Sequence, residues 1–355
     1  MTYMKNAILL IWLLLTKVLF AQEKSDLKVS FSGFVETYYS YDFNENLDAT
    51  KLPFMYNYNR HNEFNLNIGL LRAKVEYENT YAILSLHSGT YVDDNYSNEK
   101  MKYINEAYVG LILDKDKRHS IEVGILPSYI GFETANSASN LTLTRSILAE
   151  NSPYFMTGIK YNYKPSDKWN FAALVTNGWQ RINKPQNDVL PSFGTQVVYK
   201  SSSKSTLNWS TFIGKEFNGI NYTMRYFSNL YWDKKWNDKW RTILGFDYGL
   251  QDVNLTNDKS SSWLSPVFIA QYSINQKWQT AFRTEYYQDE KNIIIATVDE
   301  FKTLGLSLNF DYLPNSKVKF RTEARYFNST KEVYVKGTEV VDSNFFLTTS
   351  LSFEF

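Results

Sequence analysis

The chain has 355 residues, a formal net charge of +1 and no cysteine. A near-neutral charge offers no electrostatic basis for a nucleic-acid partner, and without cysteine neither disulfides nor thiolate metal sites can form. Aromatic residues make up 17% of the chain although its mean hydropathy is −0.40, so large rings are constantly interrupted by polar residues.

The first 21 residues have the pattern of a secretory signal peptide. Lys5 precedes an apolar run from Ala7 to Leu15, and Ala21 is a small residue suited to cleavage. A short membrane anchor is the alternative, although the run falls short of the roughly 20 apolar residues that a membrane helix needs. We expect cleavage after Ala21 and a mature protein of one domain, residues 22–355, with no later apolar run long enough for a membrane helix.

From Lys28 to the end of the chain, apolar and polar residues alternate with the period of β-strands. Short polar turns, such as DKDKR at 114–118 and SSSKS at 201–205, take turns with longer connections, such as 44–62 and 180–191. Short turns at one end and long loops at the other are typical of an outer-membrane barrel with an even number of strands. About 16 strands are predicted, and they start near Lys28, Asn62, Thr80, Lys102, Arg118, Tyr154, Lys168, Ser192, Lys204, Asn221, Asp238, Ser261, Gln276, Asp299, Ser316 and Ser343.

Alternation alone does not separate a membrane barrel from a soluble secreted β-protein, which stays an alternative. Three features favour the barrel: the leader, strands of about 10 to 14 residues, which exceed the usual soluble length, and rings near strand ends, where a lipid interface favours them. Those rings are Trp169, Trp179, Trp232, Trp236, Trp240 and Trp278. The sequence therefore predicts an all-β fold, a transmembrane antiparallel up-and-down β-barrel.

The chain ends in the alternating run SNFFLTTSLSFEF. A strand can end the chain in this way if it closes against the first strand and leaves no open edge. Phe355, Phe353 and Leu351 share one face, and this ending is similar to the signal that the barrel-assembly machinery of Gram-negative outer membranes reads. We therefore predict that these three residues form an assembly signal and that this machinery is a partner.

Several stretches resemble one family, the OmpL-like β-barrel porins. They are YYSYDF (38–43), YNRHNEFNLN ending at Asn67, SGTY (88–91), PSYIGFE (127–133), LTLTRSILAENSPY (141–154), NGWQR (177–181), GTQ (194–196) and STFIG (210–214). The resemblance spans most of the first two-thirds of the mature chain, and beyond about Gly214 only the strand pattern matches. It implies a barrel of the bacterial outer membrane that passes small solutes, and it implies no particular substrate.

The connection 127–153 is the longest one without clear alternation, and long loops in compact proteins tend to be functional. We predict a short helix over 141–150 with Asn140 as its cap. In general porins a long loop folds into the lumen, which here would place Glu133, Arg145 and Glu150 at a constriction. The alternative is a loop packed on the outer rim, with Arg145 bonded to backbone carbonyls.

Two further groups of polar residues are candidates for lining the pore. Arg60, His61 and Glu63 could set charge preference at its mouth, or could equally tether a loop to the barrel wall. Inward-facing charges of both signs are expected to pair across strands in most cases, which argues against a strongly anion-selective pore. They are Arg225, Arg241, Asp247, Arg283, Glu285, Arg321, Glu323 and Arg325.

No catalytic motif is present: HExxH, GxSxG and GxxxxGK[ST] are all missing from the sequence. His61, His87 and His119 fall in different strand regions, and His87-Ser88 is the nearest suggestion of a triad. We predict no enzymatic activity and no cofactor, but an outer-membrane channel for passive diffusion of small hydrophilic solutes.

The alternative is a barrel plugged by its own loops, acting as an adhesin or surface scaffold, which large inward rings such as Phe34, Tyr38, Phe227 and Tyr231 would favour. Outer-membrane lipid surrounds either form, and a homotrimer is an open option.

Overall fold

The computed structural model describes residues 27–45, 50–184, 190–252 and 261–355, so the predicted signal peptide at 1–21 lies outside the described residues. Sixteen strands form a closed antiparallel barrel. They are β1 (Lys28–Asp42), β2 (Glu63–Tyr77), β3 (Thr80–Ser88), β4 (Ile104–Ile112), β5 (His119–Pro127), β6 (Phe155–Tyr163), β7 (Trp169–Thr176), β8 (Ser192–Ser202), β9 (Ser205–Phe217), β10 (Tyr222–Lys235), β11 (Trp240–Gln251), β12 (Ser261–Ser273), β13 (Trp278–Asp289), β14 (Phe301–Tyr312), β15 (Val318–Ser329) and β18 (Ser343–Glu354).

Smaller elements lie in the connections. The strands β16 (Tyr334–Lys336) and β17 (Glu339–Val341) pair with each other between β15 and β18 and take no part in the barrel. The helices are α1 (Thr90–Asn95) and α2 (Ile147–Glu150), and a 3₁₀ turn covers Ser137–Ser139. Among the described residues, no helix is long and apolar enough to cross a membrane.

The last strand closes the barrel against the first, as the alternating C-terminus predicts. In the antiparallel register Phe34 faces Glu354 and Asp42 faces Phe346. The backbone nitrogen of Gly33 donates to the oxygen of Phe355 at 2.9 Å, and the nitrogen of Phe355 donates back at 3.0 Å. Neither β1 nor β18 is therefore left as an open edge.

The two faces of the wall have the polarity of a membrane barrel. Large apolar side chains point outward, with Phe31 66% exposed and Leu308 60% exposed, while inward residues such as Asn208 and Arg283 are fully buried. A soluble sandwich has the opposite order, with apolar residues inside. The outward apolar surface therefore faces lipid, and the soluble alternative is excluded.

Short turns and long loops occupy opposite ends of the barrel, with one exception. The turn between β9 and β10 has only residues 218–221 although it lies at the loop end. Five exposed tryptophans mark the short-turn end on the outer face, and they are Trp169, Trp232, Trp236, Trp240 and Trp278. Trp209 is also exposed but lies farther along β9. Trp179, predicted as a member of this belt, instead lies inside the barrel, because its loop turns inward and its ring packs edge-on against Phe212 and Phe227.

An apolar core fills part of the barrel interior near the loop end. Leu52, Phe54 and Met55 of the first loop, residues 43–62, enter the barrel and are almost fully buried. The ring of Phe54 lies 4.9 Å from that of Phe301 and 6.0 Å from that of Phe327.

A second apolar cluster, which includes Tyr91, Tyr96 and Phe155, forms under α1. Phe34, Tyr38 and Phe227 are buried inside, and Tyr231 packs on Phe132, so all four rings face inward as predicted.

Candidate functional site in the barrel interior

Residues 128–154, which connect β5 to β6, fold into the barrel and are called here the inward loop. Strand side chains accept hydrogen bonds from its backbone: Asn309 from the nitrogen of Leu143 at 3.0 Å, and Glu323 from the nitrogen of Thr144 at 2.6 Å. The nitrogen of Ile147 donates in the same way to Glu285 at 2.6 Å. Bonds to the charged acceptors Glu323 and Glu285 are stronger than bonds to neutral ones and fix the loop firmly. The inward loop is therefore held against the wall formed by β13, β14 and β15.

Three of the predicted lumen arginines bind this loop as well as carboxylates on the strands. Arg283 pairs with Glu323 at 2.7 Å and donates to the backbone oxygen of Thr144 at 2.7 Å. Arg325 pairs with Glu285 and donates to the backbone oxygen of Arg145 at 2.7 Å. All four charged strand residues are buried, and removing one member of such a pair would leave a charge uncompensated.

Arg321 completes this group through its cross-strand neighbour. Its guanidinium binds both oxygens of Asp311, at 2.8 and 3.0 Å, and also donates to the backbone oxygens of Ser137 and Asn140 in the inward loop. Asp311 and Arg321 face each other in the β14–β15 register. These inward charges pair with one another and hold the loop, which agrees with the expectation that they pair across strands.

The structure places the three charged residues predicted within the loop inside the barrel, each with its own partners. The guanidinium of Arg145 lies 3.7 Å above the ring of Tyr154 and donates to the backbone oxygen of Ala149. Glu150 accepts from the nitrogen of Tyr56 at 2.9 Å and from the hydroxyl of Tyr154 at 2.8 Å. Arg145 is 4% exposed and Glu150 is 1% exposed, and their role at a constriction stays a prediction.

Glu133, the third of these residues, lies close to Arg283 and Ser146. It accepts from the backbone nitrogen of Ser146 at 3.0 Å and from the hydroxyl of the same residue. One of its oxygens lies 3.9 Å from Arg283. Burial raises the pKa of Glu133, although the nearby arginine opposes the shift.

The helix predicted over 141–150 is much shorter, and the predicted cap is wrong. Only Ile147–Glu150 is helical, and Ser146 caps it by accepting from the nitrogen of Ala149. Asn140 instead bonds the backbone of Thr134. The preceding residues are not helical because the nitrogens of Leu143 and Thr144 donate to strand side chains rather than along a helix.

The polar cluster at 59–63 mostly ties the first loop in place. Arg60 binds both oxygens of Asp94 in α1, at 2.7 and 2.8 Å. The Nδ1 atom of His61 accepts from the backbone nitrogen of Asp42 at 3.0 Å. Glu63 lies at the exposed start of β2 and accepts from Asn65 at 2.6 Å. The contacts of Arg60 and His61 are those of the tethering alternative, and a part in charge preference stays a prediction.

Lys51 is a buried cation that the sequence reasoning did not single out. Its Nζ donates to the hydroxyl of Ser40 at 2.8 Å and lies 4.0 Å from the centre of the Phe346 ring. No carboxylate among the described residues forms an ion pair with it. Burial therefore lowers the pKa of Lys51 to about 7, and the negative charge of Asp42 opposes this shift only in part.

Near the loop end a polar cavity of about 270 Å³ lies between the first loop, α1 and the wall. Arg225 of β10 borders this polar cavity, and so do Trp179, Arg181 and Glu216. Arg181 pairs with Glu216 at 3.0 Å, whereas Arg225 donates to the side-chain oxygen of Gln251. Glu216 was missed as a candidate, although it follows Asn208 and Ser210 on the inward parity of β9 and could have been found from that pattern.

Toward the short turns, the wall carries ion pairs that are only partly buried. Partly exposed charges on an inner wall indicate a polar interior of the kind found in water-filled barrels. The pairs are Arg72–Glu106 at 3.0 Å, Lys160–Glu122 at 3.7 Å and Arg241–Asp233 at 2.6 Å. Charged residues thus line part of the inner wall toward the short turns, away from the apolar core around Phe54.

Comparison with protein families decides what kind of barrel this is. A family model matches residues 28–355, which is the whole described barrel, and its description is "Putative beta-barrel porin-2, OmpL-like". The chain belongs to this family. The match confirms the resemblance seen in the sequence, and it places this OmpL-like porin in the bacterial outer membrane.

Solved structures support the same fold at low sequence identity. The outer membrane channel DcaP of Acinetobacter baumannii has a TM-score of 0.64 and 11% identity, with 94% of this chain and 99% of that chain covered. OmpT of Vibrio cholerae has a TM-score of 0.61 and 11% identity, with the same coverage. OmpF of Salmonella typhi, in complex with daunomycin, has a TM-score of 0.61 and 12% identity, covering 92% of this chain and 98% of that chain. No curated protein matches this OmpL-like porin.

Proposed function

We propose that the protein is an outer-membrane channel through which small hydrophilic solutes diffuse passively. The observation that carries this proposal is a closed 16-stranded barrel of a porin family whose interior holds charged side chains and an inward-folded loop. A barrel of this strand number is wide enough for an aqueous channel, and a loop inside it narrows that channel. Partly exposed ion pairs toward the short turns support a water-filled passage in that half.

Conductance in a planar lipid bilayer tests the proposal. Purified, refolded full-length protein should give discrete current steps, and liposomes that contain it should swell in solutions of small sugars. The same preparation, unfolded by heat before addition, serves as the control. A folded barrel that gives neither current steps nor swelling would contradict the proposal.

A second candidate function has its own support in the apolar core around Phe54. If that core closes the passage, the protein is a plugged barrel that acts as an adhesin or surface scaffold. Phe54→Ala would loosen the core by removing a ring that contacts Phe301 and Phe327, and large-to-small core changes of this kind cost about 3–5 kcal/mol. A plugged barrel predicts a silent wild type and a conducting variant, whereas a diffusion channel predicts conduction by both.

We also propose how the protein is exported, assembled and associated in the membrane, and we propose no catalytic activity. The signal at 1–21 would direct export, the barrel-assembly machinery would read Phe355, Phe353 and Leu351, and protomers would associate as trimers, which chemical cross-linking in membranes can test. His87 is the nearest suggestion of a catalytic residue, and its contacts support a structural role. Its Nε2 lies 2.9 Å from the backbone oxygen of Lys102, and its ring packs edge-on against Tyr96.

A further inference from the structure

The polar cavity near the loop end is bordered by three carboxylates and two guanidinium groups, and each carboxylate already accepts hydrogen bonds. Glu99 accepts from the backbone nitrogen of Ile182 at 2.9 Å. Glu216 accepts from the backbone nitrogen of Trp179 at 2.6 Å and from Arg181 at 3.0 Å. Glu150 accepts from the backbone nitrogen of Tyr56, from the hydroxyl of Tyr154 and from the side chain of Asn57, the last at 2.9 Å. Since these oxygens already receive donors, the carboxylates have little capacity left for a cationic ligand.

Arg225 has the opposite property, because none of the described carboxylates is in ion-pair contact with its guanidinium, and Glu216 attracts it only from a distance. Its Nε and Nη2 atoms both donate to one neutral oxygen of Gln251, at 2.9 and 2.6 Å. In the part of the chain that the structure describes, no acceptor receives its Nη1 atom and no carboxylate pairs with it. The side chain is only 6% exposed yet borders the cavity. A buried charge without a partner is costly, so an anion that enters the cavity would find a donor ready to bind it.

The surroundings of Arg225 also indicate what the rest of such a ligand resembles. The ring of Trp179 lies 5.1 Å from the guanidinium carbon, and Ile293 and Ile294 border the same cavity. Flat and branched apolar side chains beside one cation suit a compact organic molecule that carries a single negative group. The volume of about 270 Å³ lies just below the usual range for small-molecule pockets, so the ligand must be small.

We infer that the polar cavity is a binding subsite for small organic carboxylates, with the carboxylate on Nη1 of Arg225 and the apolar body beside Trp179. This inference rests on the proposed channel function, since the ligand would be a solute on its way through the barrel. It names a preferred class of solute that the family description does not give. Binding at this subsite would raise the local concentration of such a solute at the loop end of the barrel.

Binding measured on folded full-length protein in detergent tests the inference without requiring conduction. Three probes have nearly the same shape and different charge: benzoate is an anion, benzamide is neutral and benzamidine is a cation. Equilibrium dialysis or calorimetry should show benzoate binding at least about tenfold more tightly than the other two, which corresponds to about 1.4 kcal/mol. Equal binding of benzoate and benzamide, or no binding of benzoate, would overturn the inference.

Substitution of the arginine locates the subsite. Arg225→Gln should weaken benzoate binding by about tenfold or more and leave benzamide unchanged. Arg118→Gln, which makes the same chemical change in an exposed short turn, should leave benzoate binding unchanged. Undiminished benzoate binding by folded Arg225→Gln protein would overturn the assignment. If that variant does not fold, the comparison of the three probes on the wild type still decides the charge preference.

Failure of the channel function and failure of the subsite give different results. A protein that binds benzoate selectively but gives no current steps has the subsite without the channel. A protein that conducts but does not distinguish benzoate from benzamide is a channel for which the carboxylate inference is wrong. In a conducting wild type, benzoate should also interrupt the current more often than benzamide at equal concentration.

Discussion

At the scale of single residues, the burial of Lys51 has a consequence for stability. Its pKa is about 7 in the folded protein and 10.5 ordinarily. Between these pH values the unfolded chain binds a proton that the folded protein does not, so stability rises with pH across this window. The contribution of Lys51 to the stability of the fold is therefore greatest above pH 10.5. It decreases as the pH falls toward 7 and is lost below that pH.

Replacing this lysine should remove that pH dependence. Lys51→Met keeps a long side chain without a charge, so its free energy of unfolding should vary less with pH than that of the wild type. Urea unfolding at pH 7, 8.5 and 10 measures the difference, which should grow in favour of the wild type as pH rises. Lys331→Met, which removes an exposed lysine from another connection, controls for the change in net charge. A constant difference between the wild type and Lys51→Met over this range would contradict the prediction.

Residue-level reasoning from the sequence located charges on the inward parity but not their partners. Arg283, Arg321 and Arg325 were predicted from alternation, which depends only on neighbouring residues. Their bonds to the inward loop join residues far apart in the chain, such as Arg321 and Ser137, which are 184 positions apart. No local pattern encodes such a contact, and for the same reason Lys51 was missed.

At the scale of elements, the strands were far more predictable than the loops. Each predicted strand start lies within two residues of the observed one, because strand alternation repeats over ten or more residues and the turns punctuate it. The helix of the inward loop was predicted six residues too early, since long-range bonds to strands decide where it begins. The apolar run Leu52–Met55 in the first loop carried a usable signal, because apolar residues in a polar loop suggest burial.

The inward loop should depend on Glu323 more than on any local feature. This carboxylate accepts from the nitrogen and hydroxyl of Thr144 and pairs with Arg283. Glu323→Gln keeps the size of the side chain but removes the charge, and disrupting a buried pair costs about 3–5 kcal/mol. We expect a looser loop, seen as faster protease cleavage within 128–154 and noisier single-channel current.

A matched control for this experiment is Glu332→Gln, which makes the same change at an exposed position between β15 and β16. It should leave both readouts at the wild-type level. If Glu323→Gln protein shows wild-type cleavage and current noise, the side chain does not hold the loop. The bonds that Asn309 and Glu285 accept from the nitrogens of Leu143 and Ile147 then suffice.

At the scale of the whole molecule, lipid outside and charge inside explain why one sequence pattern specifies the barrel. Outward Leu308 and inward Asn309 are adjacent in β14 yet meet opposite environments, and the same alternation recurs on strands such as β9 and β11. Closure was predictable because the last strand would otherwise leave an open edge in lipid, where unpaired backbone groups are very costly. How far the loops fill the interior was not predictable, because it depends on packing among connections distant in the chain.

The closing strand also allows folding and assembly to be separated. Phe355 is 46% exposed on the outer face, its backbone bonds Gly33, and its ring lies so close to Gly33 that a Cβ atom there would be 2.3 Å from Cζ of Phe355. Phe355→Ala removes the ring and keeps both backbone bonds. A half-exposed phenylalanine contributes on the order of 1 kcal/mol through burial, so refolding in detergent should remain close to the wild type.

In cells the same substitution should lower the folded, heat-modifiable yield in the outer membrane severalfold, because the terminal ring is the predicted assembly signal. Phe320→Ala is the matched control, since Phe320 also points outward, is equally exposed and lies on the neighbouring strand. It should reduce the cellular yield little.

Gly33→Val would push the ring of Phe355 away from the wall without removing it, so normal assembly of this variant would show that the machinery reads the ring itself rather than its packed position. Equal cellular yields for the wild type, Phe355→Ala and Phe320→Ala would show that the terminal ring is not an assembly signal, and the closing strand would then insert on the strength of its alternation alone.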